Sequence, residues 1–396
     1  MTHGNVGQMN NVSSMTLEEK IAQLFVLRVH GATADTAEPE SVERNRAAYG
    51  VSNAAELIAT YQPGGIIYFR DSGNVHNPVQ IAKLSNDIQQ AALDRPSNQI
   101  PLLIATDQEG GRVARMSPPA TWFPSAHTVA SAGADSARRV AAIMGRELRA
   151  MGIRQNYAPV ADVNVNPENP VIGERSFASD PDTAAVLVRS QVHGFQDSGV
   201  IPTVKHFPGH GDTSVDTHTG QAVITHSRER WEQLDLPPFK AALEAGVDVV
   251  MTGHLIFPEL DPARSIATTS YPIVTGLLRH ELGFDGVVVT DGLGMSAARM
   301  AHDITEAPLR ALQAGVDQLL TPADDSFPVA IKTIRRAVED GELSAERIDE
   351  SVERIMRLKR KAGLFDDPMV STDRAAHVIG SREHQEAARR LIGTVT

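Results

Sequence analysis

At 396 residues, 41% of them hydrophobic and 22% charged, the chain is long enough to bury a large core and too apolar for wholesale disorder. Its formal charge of −12 sets 37 Lys and Arg against 49 Asp and Glu, which disfavours nonspecific binding to nucleic acid or anionic lipid; the densest basic run, RIMRLKRK at 354–361, has the spacing of a solvated helix face. The absence of cysteine removes disulfides, thiolate zinc sites, thiol nucleophiles and lipid attachment through a cysteine.

In chain order, the first twenty residues contain no basic segment followed by an apolar one, and no later stretch has the length and apolarity to span a bilayer. The chain as written therefore reads as cytoplasmic, although a secreted protein with its signal removed would present the same sequence. Residues 1–14 are expected to form a flexible N-terminus. The fold should begin at SSMTLEEKI (13–21), where Ser14 and Thr16 are helix N-cap candidates and acids fill the first turn.

Short apolar runs then recur: QLFVLRV (23–29), GGIIYF (64–69), PLLIAT (101–106), RQNYAPV (154–160), IPTVK (201–205), DVVMTG (248–253), GVVVT (286–290) and QLLT (318–321). They are rich in Val and Ile and scarcely alternate, the pattern of parallel strands covered on both faces. Amphipathic stretches such as 78–93, 135–151 and 182–199 lie between them and close at or near Gly. Eight such repeats predict an α/β fold, a (β/α)8 barrel over residues 15–365 with a C-terminal extension over 366–396. A doubly wound alternative lacks its Gly-rich phosphate turn, since GGRVAR at 110–115 does not have the G-x-G spacing.

A barrel places function directly after its strands. Asp107, Asp162, Lys205, His206, His254 and Asp291 all stand there. The loop KHFPGHGDTSVDTH (205–218) is the densest in chemistry, with one Lys, three His and two Asp in fourteen residues. As a metal cage it offers His206, His210, Asp212, Asp216 and His218, but Pro208, Gly209 and Gly211 deny it the helix on which His-x3-His usually binds zinc. As acid/base apparatus it offers Asp216 and His218, two apart and so on one side of extended backbone, where an Asp fixes the tautomer of an imidazole and raises its basicity. Asp291, at a rigid strand end, is the matching candidate for attack on, or stabilisation of, a cationic centre. Residues alone leave both readings open.

Four blocks, DQEGGRVAR (107–115), NPVIGERSFASDP (169–181), KHFPGHGDTSVDTH (205–218) and VVVTDGLGM (287–295), resemble glycoside hydrolase family 3 in its β-N-acetylglucosaminidase branch, over roughly residues 15 to 365. The resemblance implies that Asp291 is the nucleophile, that His218 paired with Asp216 is the general acid/base on a mobile loop, and that Asp107, Arg115, Arg175, Lys205 and His206 grip the terminal sugar. It implies an exo-acting, retaining glycosidase that forms a glycosyl-Asp291 intermediate on muropeptide or chitin-type oligosaccharides, with no metal or organic cofactor. The expected partner is a small glycan, not nucleic acid or membrane, and oligomeric state is left open. A phosphorylase, a metal-dependent hydrolase and a non-catalytic saccharide-binding barrel are the alternatives. Two departures are visible. Gly292 follows Asp291 where many relatives have an acid or Ala, which would loosen the turn, and SREHQEAARRLIGTVT (381–396) resembles the helix that leads larger members into a second domain. Gly209 and Gly211 are expected hinges that leave segment 207–217 less ordered than the strand ends.

Overall fold

The computed structural model of the protein describes residues 12–395 apart from positions 97, 117 and 323–325. Residues 1–11, most of the expected flexible N-terminus, lie outside the described residues; Val12–Ser14 form one 3-10 turn. Each expected apolar run supplies a strand: β1 (Phe25–Arg28), β2 (Gly65–Ile67), β3 (Leu103–Thr106), β4 (Gln155–Asn156), β5 (Ile201–Phe207), β6 (Val249–Thr252), β7 (Val287–Thr290) and β8 (Leu319–Leu320). Their order is β7-β6-β5-β4-β3-β2-β1-β8 with every pair parallel, and a bridge between Val289 and Gln318 brings the two ends together into a nearly closed barrel. The strands are almost wholly buried, as parallel strands covered on both faces must be.

Helices Pro78–Leu93, Ala134–Ala150 and Pro181–Ser198 fall within one residue of the expected amphipathic stretches. Local chemistry sets their ends. Asn77 and Asp180 accept from the amides of Gln80 and Thr183, Pro occupies the first turn of two of them, and Gly199 ends the third at φ 73°. Of the two cap candidates near the start, Thr16 caps Leu17–Gln23 in a reciprocal pair with Glu19. The segment between β6 and β7, Pro272–Glu281, winds as a π-helix, which no local signal announces. One continuous apolar core runs through barrel and helices, with Phe327 edge-on to Phe25 at 5.0 Å.

Helices Thr372–Val378 and Arg382–Val395 lie against the outer helices of the barrel. Glu147 ties them down: it accepts from the Thr121 amide and hydroxyl at 2.8 and 2.7 Å, from the Gly380 amide at 2.9 Å and from His384 Nδ1 at 2.8 Å. Among the described residues no helix is long and apolar enough to cross a membrane.

Lys359, on helix Ala345–Lys361, is wholly buried and donates to Gln23 Oε1 at 2.7 Å, with no carboxylate paired to it among the described residues. Burial alone pushes its ammonium down to about 7. Unfolding restores the ordinary value of 10.5, so as pH falls from there toward 7 the unfolded chain takes the proton first and stability is lost. Lys359→Met should therefore be more stable than the parent at pH 7, and the difference should shrink by about 2 kcal/mol between pH 7 and pH 9 in urea titrations. A difference that does not change with pH would show that Lys359 is charged in the native state.

Candidate active site

At the C-terminal ends of the strands lies a cleft of about 950 Å³. Asp107, Arg115, Arg175, Lys205, His206, His218 and Asp291 all line it, so seven of the eight expected site residues meet at one barrel mouth. Asp216 stands behind His218.

One wall is a buried charge network. Lys205, 3% exposed on β5, places Nζ 2.8 Å from Asp107 Oδ1 and 2.7 Å from Glu109 Oε1. Arg175 forks onto Glu109 through Nε and Nη2, both at 2.9 Å, while Arg115 lies 3.6 Å from Asp107 and over the Phe69 ring. Burial opposes ionisation of Glu109, but Arg175 and Lys205 overcome it and hold the carboxyl well below the ordinary range. The sequence reading missed Glu109. The signal was present: Asp107 and Glu109 are two apart, so in extended backbone they share a side, and Gln108 turns the other way to accept from the amides of Arg115 and Met116. Residues Gln108–Gly110 pair antiparallel with Val113–Ala114 around a turn at Gly111 and Arg112, and a Cβ on Gly111 would fall 2.9 Å from Ser125 Cα.

Asp291 stands at the end of β7 and lines the same cleft. Its amide donates to Thr252 O at 3.0 Å and its Oδ1 accepts from the Gly292 amide at 2.7 Å. Burial works against its charge, yet His206, His254, the Gly292 amide and Lys205 outweigh it and hold the carboxyl down at about 2. The carboxylate is thus ionised at neutral pH. His254 donates Nε2–H to Gly292 O at 2.9 Å and meets Thr268 Oγ1 at 2.8 Å through Nδ1, which fixes the carbonyl of the residue after Asp291. Hydrogen bonds from the Leu293 and Gly294 amides to Leu320 and Thr321 complete the turn. Gly292 therefore does not loosen it as expected.

His206 and His210 answer to Asp162. Its Oδ2 accepts from His206 Nδ1 at 2.7 Å, and its Oδ1 accepts from the amides of His206 and His210 at 3.2 and 2.8 Å. Trp231 Nε1 donates to Pro208 O at 2.9 Å, and Asn169 Nδ2 to His210 O at 2.8 Å. A Cβ on Gly211 would sit 1.7 Å from Val163 O, and one on Gly209, at φ 136°, would meet the Asp235 side chain at 2.7 Å. These glycines allow close packing and are not hinges: residues 207–211 are buried, and Asp212 is the first residue after them to reach solvent. The tip holds His218, whose Nδ1 and amide lie 2.7 and 2.8 Å from Asp216 Oδ1 with the ring 62% exposed. The Ala297 amide donates to Thr217 O at 3.1 Å and so joins the tip to the segment after Asp291. The five residues of the metal reading turn to separate partners: His206 to Asp162, His210 to Thr217, Asp212 to His226, and Asp216 to His218. Among the described residues no three His, Asp or Glu side chains are arranged so that they could hold a metal ion.

The profile of the glycosyl hydrolase family 3 N terminal domain matches residues 16–358. Beta-hexosaminidase A of Pseudoalteromonas piscicida is 41% identical over 78% of this chain and 55% of its own length, so the chain spans about half of that relative. The structure of a glycoside hydrolase family 3 beta-N-acetylglucosaminidase from Paenibacillus superposes with a TM-score of 0.85 at 40% identity, over 95% of this chain and 68% of the other. A beta-N-acetylhexosaminidase from Beutenbergia cavernae, matched over 99% of its length and 87% of this chain, gives a TM-score of 0.76 at 29% identity. The barrel, the charge network and the strand-end carboxylate thus stand in a chain that belongs to glycosyl hydrolase family 3.

Proposed function

We propose that the chain carries the active site of an exo-acting, retaining β-N-acetylglucosaminidase. The observation that carries this reading is the pairing, in one cleft, of a partly buried, ionised Asp291 with an exposed His218 whose Nδ1 is committed to Asp216. Asp291 attacks the anomeric carbon; as that bond forms and the glycosidic C–O bond breaks, His218 Nε2–H delivers its proton to the leaving oxygen. Water then attacks the same carbon, passes its proton to the now neutral Nε2, and frees Asp291. Asp216 keeps Nδ1 protonated, so Nε2 is the nitrogen that exchanges protons, and its carboxylate stabilises the imidazolium. Asp107 accepts from sugar hydroxyls, while Lys205, Arg175 and Arg115 donate to sugar oxygens. The N-acetyl substrate follows the relatives, and muropeptide and chitin-type fragments are both substrates of this kind.

The deciding assay is release of p-nitrophenol from its N-acetyl-β-glucosaminide with and without phosphate, with free N-acetylglucosamine expected as product in both. A sugar 1-phosphate would make the enzyme a phosphorylase. Asp291→Asn should lower kcat by about 10⁴-fold or more while calorimetric affinity for N-acetylglucosamine changes little; turnover near the parent's would remove Asp291 from the nucleophile's role. His218→Ala should spare glycosylation by activated aryl leaving groups and slow it for poor ones. Equal loss for every leaving group would mark a structural histidine. Glu109→Gln should cost about 3 kcal/mol of stability, because Lys205 and Arg175 lose a buried partner, and lower kcat/KM about a hundredfold. The depressed carboxyl contributes stability above its unfolded value near 4.5 that is lost as pH falls through its lower native value, so the parent should lose more stability on acidification than the variant.

A further inference from the structure

Asp212, on the loop that carries His218, is held by a histidine with no part in the chemistry above. His226, just before helix Arg228–Leu234, lies between two carboxylates: its Nε2 is 2.9 Å from Asp212 Oδ2, and its Nδ1 is 2.7 Å from Asp235 Oδ2. Asp235 is fully buried at the junction with helix Leu236–Glu244, His226 nearly so, and Asp212 is 39% exposed. An ionised carboxylate only accepts, so with both carboxylates charged the two contacts are hydrogen bonds together only when both ring nitrogens carry protons. The frame around them is rigid. Asp235 packs on Gly209, and Trp231, in the helix between His226 and Asp235, donates to Pro208 O. Of the remaining charges, Asp162, on the segment after β4, is near enough to repel the charge of Asp235, and Arg228 is turned to Glu232 and Glu281.

We propose that His226, as an imidazolium, is a positioning residue that latches the His218 loop to the barrel through Asp212, and that loss of its proton releases the loop. The catalytic consequence rests on His218 being the acid/base; the latch itself does not. When the ring is neutral, one nitrogen is bare. The proton stays with Asp235, where an unpaired buried carboxylate would be costlier, and Asp212, which water can reach, lets go. Hydrogen bonding to Asp235 first, then the charges of both carboxylates, raises the imidazolium above the ordinary histidine range against its burial. The stabilisation is therefore full below the unfolded value near 6.5 and is lost as pH rises through the higher native one, so the loop is latched on the acid side of that native value and opens on its alkaline side.

Hydrogen exchange of the amides in 213–219, corrected for intrinsic rates, reads the latch without reference to activity. In the parent chain, protection should fall about tenfold from pH 7 to pH 9.5. His226→Gln, which cannot bridge both carboxylates, should show the low value already at pH 7. Asp212→Asn should keep protection nearly flat with pH, because an amide accepts from the protonated ring and donates to the neutral one. In the assay, His226→Gln should lower kcat for a poor leaving group about tenfold at pH 7 with KM little changed. Parent protection that does not vary with pH, or an Asp212→Asn profile that tracks the parent's, overturns the proposal. Should His226→Gln fail to fold, Asp212→Asn decides alone, since it leaves the buried His226–Asp235 pair intact. If no glycosidase activity is found in any variant, the proposed function fails while the exchange profiles still decide the latch.

Discussion

The site depends on an ammonium group held where water barely reaches it. Stripping Lys205 of solvent costs several kcal/mol, which only close and well-directed anions offset. Asp107 and Glu109 supply them, and Glu109 in turn requires the Arg175 fork. Three separate pieces of chain, the hairpin after β3, the end of β5 and the segment at Gly173–Arg175, are thereby locked together, because moving any one strands a buried charge. A sugar would meet donors and acceptors already fixed in place, and little ordering would remain to be done on binding.

Against this rigid floor the two proposed catalytic groups stand in opposite surroundings. Asp291 is partly buried, flanked by two imidazoles and an amide, and kept ionised; His218 is exposed at a loop tip with one carboxylate behind it. The difference suits their tasks. A group that forms a bond to carbon profits from fixed geometry, whereas one that must protonate a departing alcohol and then admit water profits from access.

Much of this was legible from residue order. Apolar runs punctuated by Gly predict all eight strands, because a doubly covered strand has to be apolar throughout, and Asn77 and Asp180 announce their helices through local capping chemistry. Long-range packing was not legible. Gly209 and Gly211 read as hinges because glycine's freedom is a local property, while the contacts with Asp235 and Val163 that demand glycine there come from distant parts of the chain. The π-helical turn of Pro272–Glu281 has no local marker. Glu109 went unnoticed although the side-of-strand argument applied to Asp216 and His218 finds it equally well. His226 is a lone histidine in sequence, and only the folded chain brings two carboxylates to it.

The hydrogen bond from the Ala297 amide to Thr217 O bears on how such a loop can be inherited. Helix Ser296–Ala301 begins at Met295, whose side chain cannot accept a hydrogen bond from the first turn, so one of its orphan amides is satisfied by a carbonyl borrowed from the loop. The loop and the short helix are thus a single exchangeable module. A barrel given this loop alone would lack one of the bonds that seat it, and one deprived of it would keep a helix with a frayed start. The two segments thus constrain one another in any exchange between related barrels.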